Sequence, residues 1–241
     1  MRKLMFAVAA VAAGVAMADV TSANIVGYAG SQLRDEGATL TTALFQSVAA
    51  KNGETTFGSI VPVAEEGVDL SGAIEIQYLL DDGSTDWDND YYWDGSVWLK
   101  DGITDASETP VIGGQGMWVV NQSGAPVSFQ SSGEVNQKEL EYPIREEGAT
   151  AAANAFPCAT TFGRIVPVAE EGVDLSGAIE IQFLLDDGST DWDNDYYWDG
   201  SAWLKDGMTD ASETPVIAGQ GMWVVNQSGA PVMFHIAAPE L

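Results

Sequence analysis

The chain has 241 residues, with 36 acidic side chains against nine basic ones, a formal charge of −27, and 46% hydrophobic residues including eight Trp. Such an acidic excess argues against nucleic acid or anionic membrane as a partner, and favours solubility and attraction of divalent cations. The apolar and aromatic content excludes a disordered acidic tail, and a single cysteine, Cys158, excludes an intramolecular disulfide.

Residues 1–18, MRKLMFAVAAVAAGVAMA, have the form of a signal peptide: Arg2 and Lys3, an apolar run, then Ala16-Met17-Ala18 as the small-x-small cleavage pattern. The mature chain is expected to begin at Asp19, more acidic still, and to be exported to the cell surface or the extracellular space. No later apolar run approaches the roughly 18–20 residues of a membrane span, so none is expected.

Ile25, Val26 and Tyr28 suggest a short first strand, and this opening has no close copy later. The segment Arg34-Asp35-Glu36-Gly37-Ala38-Thr39 then returns as Arg145-Glu146-Glu147-Gly148-Ala149-Thr150. Leu40 to Val48 reads as a strand leading into an Asn52-Gly53 hairpin. The second copy is six residues shorter at this turn, as an exposed loop tip allows. From Thr56 to Phe129 the chain aligns without a gap to Thr161 through Phe234. Over these 74 positions there are six differences: Ser59/Arg164, Tyr78/Phe183, Val97/Ala202, Ile103/Met208, Gly113/Ala218 and Ser128/Met233. A unit of about a hundred residues is a domain rather than a solenoid repeat.

Within the unit, Ile74, Ile76, Tyr78 and Leu80 alternate with Glu75, Gln77 and Leu79, predicting a half-buried strand. Gly114 to Val120 predicts another strand, Asn121 to Gly124 a turn, and Ala125 to Phe129 a closing strand. No segment carries a sustained helical stripe. Short strands with frequent turn signals predict an all-β chain: two tandem, near-identical antiparallel β-sandwich or barrel domains after the signal peptide. The first is expected over residues 19–135 and the second over 136–241, with a linker within Ser131 to Tyr142.

Three sets of residues carry a resemblance. These are Ser22-Ala23-Asn24-Ile25-Val26-Gly27-Tyr28, Asp69-Leu70-Ser71-Gly72-Ala73, and Gly114-Gln115-Gly116-Met117-Trp118-Val119 followed by Gly133-Glu134-Val135. Together they resemble a family of uncharacterised secreted tandem-repeat β-proteins of the Verrucomicrobia–Lentisphaerae group of bacteria. In that family the glycine strand usually reads Gly-Gln-Gly-Phe-Trp-Val; here Met117 and Met222 stand in the Phe position. The resemblance covers most of the mature chain and implies an exported β-protein, with no activity attached.

The stretch most suggestive of chemistry is Asp81 to Gly102, repeated as Asp186 to Gly207. Asp94-Gly95 between two strand-like runs predicts a two-residue turn, setting Trp93 opposite Ser96, Tyr92 opposite Val97 and Tyr91 opposite Trp98. Tyr91, Trp93 and Trp98 then share one face, and Tyr92, Val97 and Leu99 the other. One face is core and the other a candidate binding surface. The candidate ligand-binding residues are Trp87, Tyr91, Trp93 and Trp98, with Trp192, Tyr196, Trp198 and Trp203 in the second copy. Trp118 is expected in the core.

Asp86, Asp88 and Asp90, with Asp191, Asp193 and Asp195, place carboxylates at alternate positions, as a Ca2+ loop does. The pattern fails the EF-hand test, since Tyr91 stands where Gly is needed and Val97 where the bidentate Glu is needed. The bland alternative is a solvated acidic loop. Enzymatic readings are poor: the sole histidine, His235, is replaced by Gln130 at the same position of the other copy, and no nucleophile–base or metal-histidine spacing occurs twice. Cys158 reads as a buried small hydrophobe.

The expected function is that of a secreted surface or extracellular-matrix protein, structural or adhesive, built from two repeated domains. The alternative is a bivalent carbohydrate-binding protein, in which duplication raises avidity. Expected partners are other surface proteins or glycans, with self-association through strand exchange between near-identical domains.

Overall fold

The computed structural model describes residues 26–45, 54–78, 86, 89–183, 191 and 194–238. Residues 1–18, expected to be a signal peptide, and the expected Asn52-Gly53 turn lie outside the described residues. The strands of the first half are β1 Val26–Leu33, β2 Gly37–Thr41, β3 Glu54–Thr56, β4 Ile60–Ala64, β5 Ile74–Gln77, β6 Tyr91–Trp93, β7 Trp98–Lys100, β8 Thr104–Asp105, β9 Pro110–Ile112, β10 Met117–Asn121 and β11 Val127–Glu134. Those of the second are β12 Leu140–Ile144, β13 Gly148–Ala153, β14 Thr160–Thr161, β15 Ile165–Ala169, β16 Ile179–Gln182, β17 Tyr196–Trp198, β18 Trp203–Lys205, β19 Thr209–Asp210, β20 Pro215–Val216, β21 Gly221–Asn226 and β22 Val232–Ile236.

Both halves are wired alike. A three-stranded antiparallel sheet, β1-β11-β4, packs against a six-stranded one, β2-β10-β5-β6-β7-β8. The second half repeats this as β12-β22-β15 and β13-β21-β16-β17-β18-β19. The chain is thus all-β and built of sandwiches. The strand β1 does have a partner in the repeat, β12, although the two share little sequence: Gly30 pairs with Gln130 as Glu141 pairs with His235. The linker is shorter than expected. β11 runs on to Glu134 and β12 starts at Leu140, leaving residues 135–139 between them.

The core of the first half lies between its two sheets and includes Phe57, Ile60, Ile74, Ile76, Trp98, Met117, Val119 and Phe129. Trp98 on β7 is fully buried, and its indole N–H donates to the Ile60 carbonyl on β4 at 2.8 Å, joining one sheet to the other. Trp203 repeats the bond to the Ile165 carbonyl at 2.7 Å. On β4, Ile60 and Pro62 turn inward and Val61 and Val63 outward. Pro62 is tolerated because β4 is an edge strand, where its missing N–H breaks no ladder. Asn121, fully buried at the end of β10, closes the turn that follows. Its amide donates to the Arg34 and Ala125 carbonyls at 2.7 and 2.9 Å, and its Oδ1 accepts from the Ser123 N–H and hydroxyl.

Two expectations about burial change. β5 is buried on both faces: Glu75 and Gln77 are buried as well as Ile74 and Ile76, and the Gln77 amide donates to Glu75 Oε1 at 2.5 Å. Trp118 is half-buried rather than core, because it faces Trp223 across the junction of the halves at 6.3 Å between ring centroids. There the backbones nearly touch. Gly116 N–H donates to the Ala151 carbonyl at 3.1 Å, and Ala153 N–H to the Gly114 carbonyl at 3.0 Å. On the mirrored side Thr41 Oγ1 donates to the Gly219 carbonyl at 2.9 Å. A Cβ on Gly116 would sit 2.8 Å from the Ala151 carbonyl carbon, and one on Gly221 2.3 Å from the Leu40 oxygen, so both positions require glycine.

Replacing Trp98 by Phe removes the donor to Ile60 while keeping an aromatic ring. The expected cost is about 1–3 kcal/mol for the lost buried hydrogen bond, read by urea denaturation at pH 7. An unchanged midpoint would show that the bond does not hold the sheets together.

Candidate functional site

In both copies of the acidic, aromatic stretch, the paired strands are β6 with β7 and β17 with β18. The two-residue Asp94-Gly95 turn expected from the sequence is not formed. Trp93 pairs with Trp98, Tyr92 with Leu99 and Tyr91 with Lys100, leaving residues 94–97 as a four-residue loop. The reason is the Asp94 side chain, whose Oδ1 accepts the Val97 N–H at 2.8 Å, the Ser96 N–H at 2.8 Å and the Ser96 hydroxyl at 2.9 Å. With the Asp94 N–H donating to the Val97 carbonyl at 3.0 Å, these bonds close the loop one position on from the expected turn. The Asp-Gly pair that does make a tight turn is Asp101-Gly102. Both residues have positive φ, +53° and +68°, and Ile103 N–H donates to the Lys100 carbonyl at 3.1 Å.

Trp93 and Trp98 still share a face with Tyr91, and that face is the core. Tyr91, Trp93 and Trp98 are 5%, 7% and 0% exposed, and Tyr196, Trp198 and Trp203 are 6%, 8% and 0% exposed. They are therefore not an open platform for a ligand. Tyr91 stacks on Phe57 at 4.2 Å, and Trp93 meets Trp98 edge-on at 5.4 Å. Packing between the sheets uses both faces of these rings. Trp87 and Trp192 lie outside the described residues.

The acidic loop closes on a lysine. Lys100 Nζ donates to Asn89 Oδ1 at 2.7 Å, and Asn89 Nδ2 donates to Asp86 Oδ2 at 2.6 Å. The second copy repeats the relay through Lys205, Asn194 and Asp191 at 2.5 and 2.6 Å. Asp101 N–H donates to the Asp90 carbonyl at 3.0 Å, which seats the Asp101-Gly102 turn against the loop. Asp90 and Asp195 are buried, while Asp86 and Asp191 are half-buried. Among the described residues, Asp86, Asp90 and Asp101 do not converge as a group of three carboxylates, nor do Asp191, Asp195 and Asp206. Asp88 and Asp193 lie outside the described residues. Burial, then the Asp101 and Asp86 charges, push the Tyr91 phenol up. Burial, then Glu75 and Asp90, do the same for Tyr92. Nothing in the alternation of β5 marks Glu75 as buried, so this polar layer beneath the hairpin was not legible in the sequence.

Two clefts are lined by residues that differ between the copies. One, of about 660 Å3, lies at the junction of the halves, lined by Gln115, Gly116, Tyr142, Arg145 and Ala151. Leu40, the counterpart of Ala151, is instead buried against Gly221 on the mirrored side. The other, of about 570 Å3, belongs to the first half and is lined by Thr56, Ser59, Trp93, Ser96, Ser107 and Glu108. Ser59 here bonds Thr55 Oγ1 at 2.6 Å; its counterpart Arg164 extends to the Ala238 carbonyl instead. The sequence signal for this asymmetry is the Ser59/Arg164 difference. Compared with known protein families, curated proteins and solved structures, the chain matches none.

Two outcomes are expected. Hydrogen bonds from Val97 and Ser96 hold the Asp94 carboxyl below its usual range, as Ala202 and Ser201 do for Asp199. A carboxylate depressed in the folded state stabilises above its unfolded value, near pH 4, and loses that contribution as pH falls through the folded one. Thermal midpoints between pH 7 and 2 should therefore fall less steeply below pH 4 for Asp94→Asn with Asp199→Asn than for the unaltered chain. Parallel acid limbs would refute the assignment. Separately, Lys100→Met with Lys205→Met should lower stability by about 1 kcal/mol per copy, a charge-assisted bond at a half-exposed site. Urea midpoints should show a larger loss at about 10 mM than at about 500 mM salt.

Proposed function

We propose that the chain is an exported surface or extracellular-matrix protein whose two repeated β-domains act as structural or adhesive modules, without catalytic activity. One observation carries the reading: in both copies the aromatic face of the hairpin is turned into the sandwich core. An open row of rings would have favoured sugar, whereas buried rings serve the scaffold. The leader at residues 1–18 and the resemblance to secreted repeat proteins support export. Lys100 does for the acidic loop what a cation would do, so calcium at fixed ionic strength should shift the melting temperature no further than magnesium does. A larger shift returns the loop to calcium.

The carbohydrate alternative keeps one observation in its favour, the cleft of the first half. Thr56, Ser59, Ser96 and Ser107 line it beside Trp93 and Glu108, a mixture of residue types suited to a sugar's hydroxyls and C–H faces. Arg164 changes the second copy, so such a protein would bind through one domain.

A glycan array probed with residues 19–241 decides between the two. The scaffold reading expects no saturable binding. Binding lost in Ser59→Arg would establish the cleft as a sugar site, while binding lost in Trp87→Ala with Trp192→Ala would establish the loop. Either result overturns the scaffold proposal.

A further inference from the structure

The sheet β12-β22-β15 carries a feature that its twin lacks. His235 on β22 pairs across the sheet with Glu141 on β12, and Glu139, two residues earlier, closes on the same ring. The His235 Nδ1 atom lies 3.0 Å from Glu139 Oε1 and 3.5 Å from Glu141 Oε1. One donor atom from each of the three residues lies within 4.8 Å of the other two, and among the described residues this is the group of three that converges in this way. On its other side His235 pairs with Val166, which leaves the ring flanked by an apolar neighbour.

We propose that Glu139, Glu141 and His235 form a binding site for one borderline divalent transition-metal ion, Zn2+ being the probe of choice. Three lines of argument meet here. Zinc takes imidazole nitrogen and carboxylate oxygen at about 2.0–2.2 Å, and tetrahedral bonds of that length set donors about 3.3–3.5 Å apart; His235 Nδ1 already stands 3.0 and 3.5 Å from the two carboxylate oxygens, so shifts of a few tenths of an ångström on its side suffice. Glu141 stands directly across the ladder from His235, and Glu139, two residues before Glu141, already bonds the same ring, so little ordering is needed on binding. Glu139 is about half and Glu141 more than half exposed, which leaves the fourth position to water and makes the site open rather than closed. On binding, the ion takes the Nδ1 lone pair, and the ring keeps its proton on Nε2. The preference follows from the donor set. An imidazole with two carboxylates suits zinc, copper and nickel, whereas calcium needs six to eight oxygens that this face does not offer.

The repeat provides an internal control. In the first half Gln130 stands at the position of His235, and Tyr28 and Gly30 stand at those of Glu139 and Glu141. One site per chain is therefore expected, not two. The ion would also join the connection at residues 135–139, through its last residue, to β22.

The test is calorimetric titration of residues 19–241 with Zn2+ in a non-chelating buffer, beside His235→Gln and the carboxylate variant Glu139→Gln with Glu141→Gln. His235→Gln reproduces the residue that β11 already carries, and circular dichroism reports whether its sheet content is intact. The expected result is one ion per chain, with affinity at least about tenfold weaker in each variant, as befits the loss of one or two of three protein ligands. Zn2+ should raise the melting temperature of the unaltered chain and not that of His235→Gln, while Ca2+ at equal ionic strength does neither. Two ions per chain, multiple weak sites untouched by His235→Gln, or no saturable binding at millimolar Zn2+ would each overturn the proposal. If His235→Gln fails to fold, Glu139→Gln alone carries the same comparison.

Discussion

The bond from the Trp98 indole to the Ile60 carbonyl is the one interaction from which the rest of each half follows. It runs from the six-stranded sheet to the three-stranded one, through a residue with no exposed surface. A buried Trp that had to leave its N–H unpaired would lose much of what its apolar area gains. With the bond made, the hairpin can be pressed inward. Phe57 stacks on Tyr91, Trp93 leans on Trp98, and Phe129 meets Trp98 from the opposite sheet. The aromatic side of the repeated stretch then belongs to the interior, and the acidic side is what meets solvent.

That division also explains the lysine. A loop rich in carboxylates, held over buried Glu75 and Gln77 and half-buried Tyr92, is short of positive charge. Lys100 arises from the strand next to the hairpin's own turn and reaches Asn89, which in turn holds Asp86. Tyr92 is placed against Glu75 by the same register that pairs Trp93 with Trp98. The core and the loop are thus set by one ladder.

Much of the architecture was legible in the residues, because alternation and turn chemistry are local. The all-β class follows from runs such as Ile60 to Ala64 and from the spacing of glycines. The choice between two Asp-Gly pairs was not legible. Both Asp94-Gly95 and Asp101-Gly102 satisfy the same rule, and only the further bonds of Asp94 to Ser96 and Val97 decide which one becomes the tight turn. Trp118 fails for another reason: its neighbour Trp223 lies in the other half, a contact that no local pattern encodes. Nor does any likeness of sequence connect Gly30 with Glu141, which occupy equivalent positions in the paired strands.

The close approach of Gly116 to Ala151 and of Gly221 to Leu40 has a consequence for how such a chain can change over time. Both glycines lie inside the near-identical stretch, whereas Leu40, Ala151, Glu139, Glu141 and His235 all lie just outside it. Copying of one repeat onto the other would therefore renew the cores and the corners while leaving the two surroundings distinct. Arg164 is one of the six departures within the copied stretch, and stands where Ser59 lines the cleft of the first half. Individuality in this molecule is written in the margins of the repeat, where homogenisation does not reach.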